Sequence, residues 1–172
     1  MEHYKLIIIA AVSVDGVIGI DNEIPWRIPE DFRHFRNTTI GCMLLVGYNT
    51  FKTLPKVAFE GREYIVLNKE NPIEDLVDIY QFRNLDMIFS VLDTPNTDVE
   101  KVFVAGGAMI YDSLIEYCDE AIITWVNKTY PNGNKRFPID KLFANFEVHK
   151  DQDWQTSKSG LQYKITYYGR KL

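Results

Sequence analysis

The stretch IPWRIPEDFRHF, residues 24–35, carries an acid where its periodicity calls for packing. With Pro29 at the first position of a helix, steps of about 100° set Ile28, Phe32 and Phe35 in one arc. Asp31 lies on the edge of that arc, while Glu30, Arg33 and His34 point elsewhere. A carboxylate set against two phenylalanines must be paired, neutral or chemically employed, because burying it ionised and alone is costly. Desolvation raises the pKa of such a group, which suits it to proton transfer near neutrality. The simpler alternative is an acid that only complements the helix dipole.

Two glycine-marked turns offer a second kind of chemistry. FVAGGAMIY runs from a strand through Gly106 and Gly107 into a helix, and LLVGYNTF repeats the arrangement, with Gly47 before Asn49 or Thr50 as helix cap. Backbone stripped of side chains lets a phosphate approach a helix N-terminus, where free N–H groups and the dipole favour anions. Each turn alone reads as an ordinary tight turn. Two of them together point to a dinucleotide with two phosphate grips, although neither is G-x-G-x-x-G. Cys42 and Cys118 sit in or beside apolar segments without ligand spacing and read as core, and His3, His34 and His149 are scattered, so no metal is expected.

The elements that must position these residues are apolar, β-branched runs at 5–12, 42–47, 63–68, 87–91, 101–107 and 121–126. They lack clean alternation, which predicts strands buried on both faces. Helices are predicted at 29–38, 49–54, 73–82 and 108–117, giving an α/β fold with right-handed crossovers. The C-terminal runs 146–151 and 161–170 alternate better and predict an antiparallel hairpin at the sheet edge, joined by the polar stretch QDWQTSKSG. No repeat or linker interrupts the chain, which predicts one domain over residues 1–172.

Composition narrows the partners. The 172 residues are 46% hydrophobic and 25% charged, as in ordinary globular domains, with a net charge of -5 and no basic block. Nucleic acid and anionic membranes are therefore not expected partners. The longest apolar run, 6–12, is too short to span a bilayer and lacks a signal-peptide pattern, so a cytoplasmic location is expected. Whether the chain is a monomer or a dimer is not decided by these features.

Read with its upstream loop, AAVSVDGVIGIDNEIPWRIPEDFRHFRNTT (10–39), the acid-bearing stretch resembles the signature of dihydrofolate reductases. Its elements are Gly19 after an aliphatic residue, Ile24-Pro25-Trp26, Asp31, Phe35 and Thr39. Further landmarks follow in order: Gly47 and Thr50, Gly61-Arg62, Gly106-Gly107 with Tyr111, Thr124, and Gly133 with Phe137-Pro138. Only residues 70–100 match poorly. The resemblance implies an eight-stranded, mainly parallel sheet and bound NADPH. It further implies reduction of 7,8-dihydrofolate to 5,6,7,8-tetrahydrofolate in support of one-carbon and thymidylate metabolism. Antifolates such as methotrexate or trimethoprim are then expected ligands.

The resemblance also implies roles. Asp31 would bind the pterin's 2-amino group and N3 edge and help deliver a proton to N5, with Trp26 and Thr124 holding an ordered water beside it. Ile9, Ala11, Phe32, Phe35, Leu54 and Phe59 would line the pterin and aminobenzoyl slot. Arg62 would clamp the glutamate α-carboxylate, for which a guanidinium fork is suited. On the cofactor side the resemblance implies Ala11, Ile18, Gly19, Ile24, Gly47, Tyr48, Asn49, Thr50, Leu67, Asn68 and Lys69, then Ala105, Gly106, Gly107, Ala108, Met109, Ile110 and Tyr111. Residues 16–24 match a mobile loop that closes over the nicotinamide.

The chain departs from the family pattern mainly where cofactor is held. Tyr48 and Asn49 stand where an arginine is common after the glycine, Asn68-Lys69 where Ser or Thr precedes Ser or Arg, Ala108 where a third glycine is frequent, and Met109 where a base often follows. Asn134 replaces a frequent aspartate. Two rivals stand beside this reading: the pyrimidine reductase of riboflavin biosynthesis, which lacks the Pro-Trp…Asp signature, and a folate- or nucleotide-binding scaffold without turnover, which would have no need of Asp31.

Overall fold

The computed structural model describes residues 4–54, 61–70, 78–93 and 101–172. Their strands are β1 (Lys5–Ser13), β2 (Val17–Gly19), β3 (Met43–Gly47), β4 (Glu63–Leu67), β5 (Ile79–Phe82), β6 (Lys101–Val104), β7 (Glu120–Val126), β8 (Lys135–Arg136), β9 (Phe146–Asp151), β10 (Gln155–Thr156) and β11 (Gln162–Arg170). Their helices are α1 (Pro29–Thr39), α2 (Tyr48–Thr53), α3 (Leu85–Leu92), α4 (Ala108–Leu114) and α5 (Ile139–Asn145), with a 3₁₀ turn at Ile115–Tyr117 extending α4. No helix among these residues is long and apolar enough to cross a membrane.

The main sheet runs β10-β11-β7-β1-β6-β3-β4-β5, and β9 also pairs with β11. All pairings from β7 to β5 are parallel; those of β11 with β7, β9 and β10 are antiparallel. This is the mainly parallel α/β sheet that the apolar runs predicted, with the C-terminal antiparallel hairpin at its edge. It has nine strands among the described residues, because the polar connection contributes the two-residue β10. The absence of alternation has the expected cause. Leu6, Ile8, Ala10 and Val12 enter one core cluster and Ile7 and Ile9 the other, so β1 is covered on both faces.

Two expectations fail between residues 73 and 92. The run 87–91, expected as a strand, lies inside α3. Asn84 caps that helix, its side-chain oxygen accepting the Met87 N–H at 2.9 Å, and Ile88 and Leu92 are buried one turn apart. A local cap and helical spacing outweighed the β-branched composition. Of the helix expected at 73–82, Ile79–Phe82 form β5 instead, which pairs with β4 from Tyr64↔Ile79 to Leu67↔Phe82; residues 71–77 lie outside the described residues. The sequence also gave no notice of α5 or of the small sheet in which β2 pairs with β8.

Candidate active site

Asp31 sits in the first turn of α1, whose entry is fixed by packing: Ile28, extended at the N-cap, is buried with Val126 and Tyr163, with Trp26 and Leu161 packed alongside. Thr124 lies in the buried middle of β7, flanked by Ala11 of β1 and Ile165 of β11. Its hydroxyl donates to Asp31 Oδ1 at 2.6 Å. Loss of solvent around the carboxyl outweighs that hydrogen bond and pushes the Asp31 pKa up to about 6. The Tyr111 hydroxyl donates to the Ile9 carbonyl at 2.8 Å, deep in the core. Its acidity is suppressed first by burial and then by the charge of Asp31.

Of the residues expected to line an apolar slot, Phe35 and Leu54 pack on the cluster holding Ile9. Phe32, the other phenylalanine of the arc, is 41% exposed rather than packed. Phe59 lies outside the described residues. Trp26 is half-buried and stacks at a tilt on Tyr130, with ring centroids 5.4 Å apart. Arg62 is buried: Nε donates to the Thr39 hydroxyl and Nη2 to the Arg36 carbonyl, both at 2.8 Å, so it ties β4 to the end of α1.

The two glycine turns meet. Gly47 N–H donates to the Gly106 carbonyl at 2.8 Å and Ala105 N–H to that of Leu45 at 2.9 Å. A Cβ on Gly107 would lie 3.0 Å from Thr50 Oγ1, and one on Gly47 would lie 3.3 Å from Ile110 Cγ1. Gly47 and Gly107 are the N-caps of α2 and α4, and neither helix has a side-chain cap bond. Tyr48, Asn49, Ala108 and Met109 therefore open two helices side by side, with first-turn N–H groups available to phosphates. These residues fit a dinucleotide.

At the end of β4 the arrangement is less generous than the sequence suggested. Asn68 is buried and its amide is engaged locally, donating to Gln81 Oε1 at 3.3 Å and accepting the Glu70 N–H at 3.1 Å. Lys69 is exposed and lines a cleft of about 190 Å³ with Leu67, Asp86, Met109 and Ser113.

In the segment 16–24, Ile18 packs on the core, Gly19 is buried in β2 and Ile24 is 64% exposed. Ile20 and Glu23 exchange backbone hydrogen bonds of 2.8 and 3.0 Å. Asn134 holds the tip, its Oδ1 accepting the Asp21 N–H at 2.8 Å and its Nδ2 donating to Asp21 Oδ1 at 2.9 Å. Asp15 holds the base: it pairs with the Ser13 hydroxyl, accepts the Tyr130 N–H at 2.9 Å, and its carbonyl takes Arg136 Nη1 at 2.8 Å. These two anchors escaped the sequence reading because more than 110 residues separate their partners.

Similarity to known proteins gives the family and the fold. A dihydrofolate reductase of Mycoplasma pneumoniae is 32% identical over 92% of this chain and 93% of its own length. One of Mycobacterium tuberculosis is 30% identical over 95% and 96%. The dihydrofolate reductase of Enterococcus faecalis, solved in complex with NADP(H) and RAB-propyl, superposes with a TM-score of 0.82 over 99% of both chains at 24% identity, which shows the fold. The family profile described as dihydrofolate reductase matches residues 5–170, the whole of the sheet and both glycine turns, and the chain belongs to the dihydrofolate reductase family.

Proposed function

We infer that this chain reduces 7,8-dihydrofolate to 5,6,7,8-tetrahydrofolate with NADPH, and that Asp31 is the group that binds and protonates the pterin. The observation that carries the assignment is the half-buried Asp31 carboxyl, raised to about 6 while hydrogen-bonded to Thr124. About a tenth of it is protonated at pH 7, so it can switch between holding and releasing a proton during turnover. As a carboxylate it pairs with the amidine-like edge of the pterin through both oxygens. Thr124 fixes its orientation from the rigid middle of the sheet, and Phe35 and Leu54 supply an apolar wall for a planar ring.

Bound NADPH supplies the hydride that reaches the pterin C6. The paired turns at Gly47 and Gly106-Gly107 would hold its phosphates, and Tyr111, beneath those turns, keeps its hydroxyl on the Ile9 carbonyl and closes the floor near Asp31. Segment 16–24, anchored at Asp15 and Asn134, would exclude water above it. Arg62 would take the glutamate α-carboxylate of the substrate or of methotrexate, whereas trimethoprim lacks that group. The test is loss of NADPH absorbance on adding dihydrofolate to the purified protein. No turnover together with retained methotrexate binding would identify a folate-binding scaffold instead.

A further inference from the structure

Glu30 precedes Asp31 in α1, and its carboxylate is fully engaged on a turn far away in sequence. Oε2 accepts the Ser157 hydroxyl at 2.7 Å and Oε1 the Lys158 N–H at 2.9 Å, across 127 and 128 residues. The receiving turn is itself built: Ser157 N–H donates to the Leu161 carbonyl at 2.8 Å, Gly160 N–H to the Ser157 carbonyl at 2.9 Å, and Ser159 N–H to the Ser157 hydroxyl oxygen at 3.2 Å. Ser157 is 4% exposed although the turn is polar. These two donors hold the Glu30 carboxyl below the ordinary carboxylate range.

The N-cap residue of the helix is Ile28, which is held by apolar packing and makes no side-chain cap bond, so Glu30 adds a polar tie to a first turn otherwise seated by packing. Adjacent helical residues point about 100° apart, so Glu30 gripped on one side fixes the angle at which Asp31 is presented on the other. We propose that Glu30 is a positioning residue: by clamping the first turn of α1 to the 157–160 turn it holds the Asp31 carboxylate on the Thr124 hydroxyl. This rests on the reading of Asp31 as the proton-handling group.

Among the described residues, few groups act on Asp31. Thr124 reaches it from β7, and its charge is felt by Tyr111 of α4 and by Tyr163 of β11, a tyrosine that also feels Glu30 and Arg33. Ser157→Ala removes one of the two grips, together with the acceptor of the Ser159 N–H and hydroxyl, while leaving the charge of Glu30 in place. Turnover at saturating substrate and the pH profile of kcat/KM are measured for Glu30→Ala, Ser157→Ala and the double variant, with Asp31→Asn beside them. Turnover should fall about tenfold in Glu30→Ala and about threefold in Ser157→Ala, small misplacements of a reacting group being costly. The double variant should lose little more than Glu30→Ala alone, since Glu30→Ala already breaks the Ser157 contact along with that to Lys158. The Ser157→Ala profile should shift to higher pH, because a carboxylate that loses the Thr124 hydroxyl holds its proton more tightly. Wild-type turnover and profile in Glu30→Ala, or losses that multiply in the double variant, would overturn the proposal. If Glu30→Ala does not fold, Ser157→Ala decides through its profile. Full activity in Asp31→Asn would instead remove the reading of Asp31 itself.

Discussion

Asp31→Asn keeps the shape of the side chain and one acceptor for Thr124 but cannot exchange a proton. Turnover at pH 7 should fall at least about 100-fold and recover partly in acid, where solution protonates the substrate beforehand. Near-normal turnover at pH 7 would remove the assigned role. Stability should move the other way. The carboxyl stands at about 6 in the folded chain against 3.8 ordinarily, so the folded state holds the proton more tightly. Stability is then lost as pH rises from about 4 to about 6, and the cost is complete above that range. Asp31→Asn should therefore raise the melting temperature at pH 8, by an amount equivalent to about 1–2 kcal/mol for this half-buried group, and bring no gain at pH 4. Arg62→Leu has a mixed signature. It strands the Thr39 hydroxyl and Arg36 carbonyl contacts, costing about 1–3 kcal/mol in denaturant melts, and should weaken methotrexate by about 2–5 kcal/mol more than trimethoprim. Equal weakening of the two ligands would leave Arg62 a purely structural residue. Helical periodicity marked Asp31 as out of place but left a simple dipole-complementing acid as the plainer reading, and its proposed role came with the family resemblance. Thr124 had no such mark and came only with the family resemblance, and Ser157 was invisible because its partner is 127 residues away.

Elements were legible where burial alone decides them and illegible where pairing does. β1, β3, β4, β6 and β7 are continuous apolar runs because both faces of a parallel sheet are covered. The run 87–91 is equally apolar, yet Asn84 caps it into α3, and no periodicity in five residues tells a buried helix from a buried strand. β2 and β8 are shorter still, and their pairing rests on contacts between segments that are distant in sequence. One such contact is testable. Val17 is wholly buried, and a Cβ placed on Gly133 would collide with its side chain. Gly133→Ala should cost about 1–3 kcal/mol of stability by pushing the 130s turn off β2. On a Val17→Ala background the same substitution should cost much less, because the obstructing atoms are gone. Equal costs in thermal melts of both backgrounds would show that the turn does not bear on Val17.

At the scale of the molecule, charge sets the problem that the cofactor site must solve. A chain with a net charge of -5 does not attract anions at long range, so the 2′-phosphate of NADPH, with about two negative charges, must be held by groups beside it. The residues at matching positions are sparse in charge. Met109 is 52% exposed and neutral, Tyr48 has Lys52 over its ring, and the Asn68 amide is engaged with Gln81 and Glu70. Lys69 is the cation lining the cleft at the end of β4, and Asp86 lines the same cleft with the opposite sign. Lysine acts as a hydrated point charge rather than a fork, so its hold on a phosphate is looser and more easily screened than that of an arginine. NADPH should accordingly be preferred over NADH by a narrower margin than is usual in the family, and the margin should shrink further as salt is raised. Lys69→Ala should raise the Michaelis constant for NADPH several-fold and leave that for NADH almost unchanged. Dissociation constants measured by quenching of protein fluorescence should show the same split without reference to turnover. If both cofactors weaken alike, Lys69 does not meet the 2′-phosphate, and the preference is set by groups on another face of the cleft.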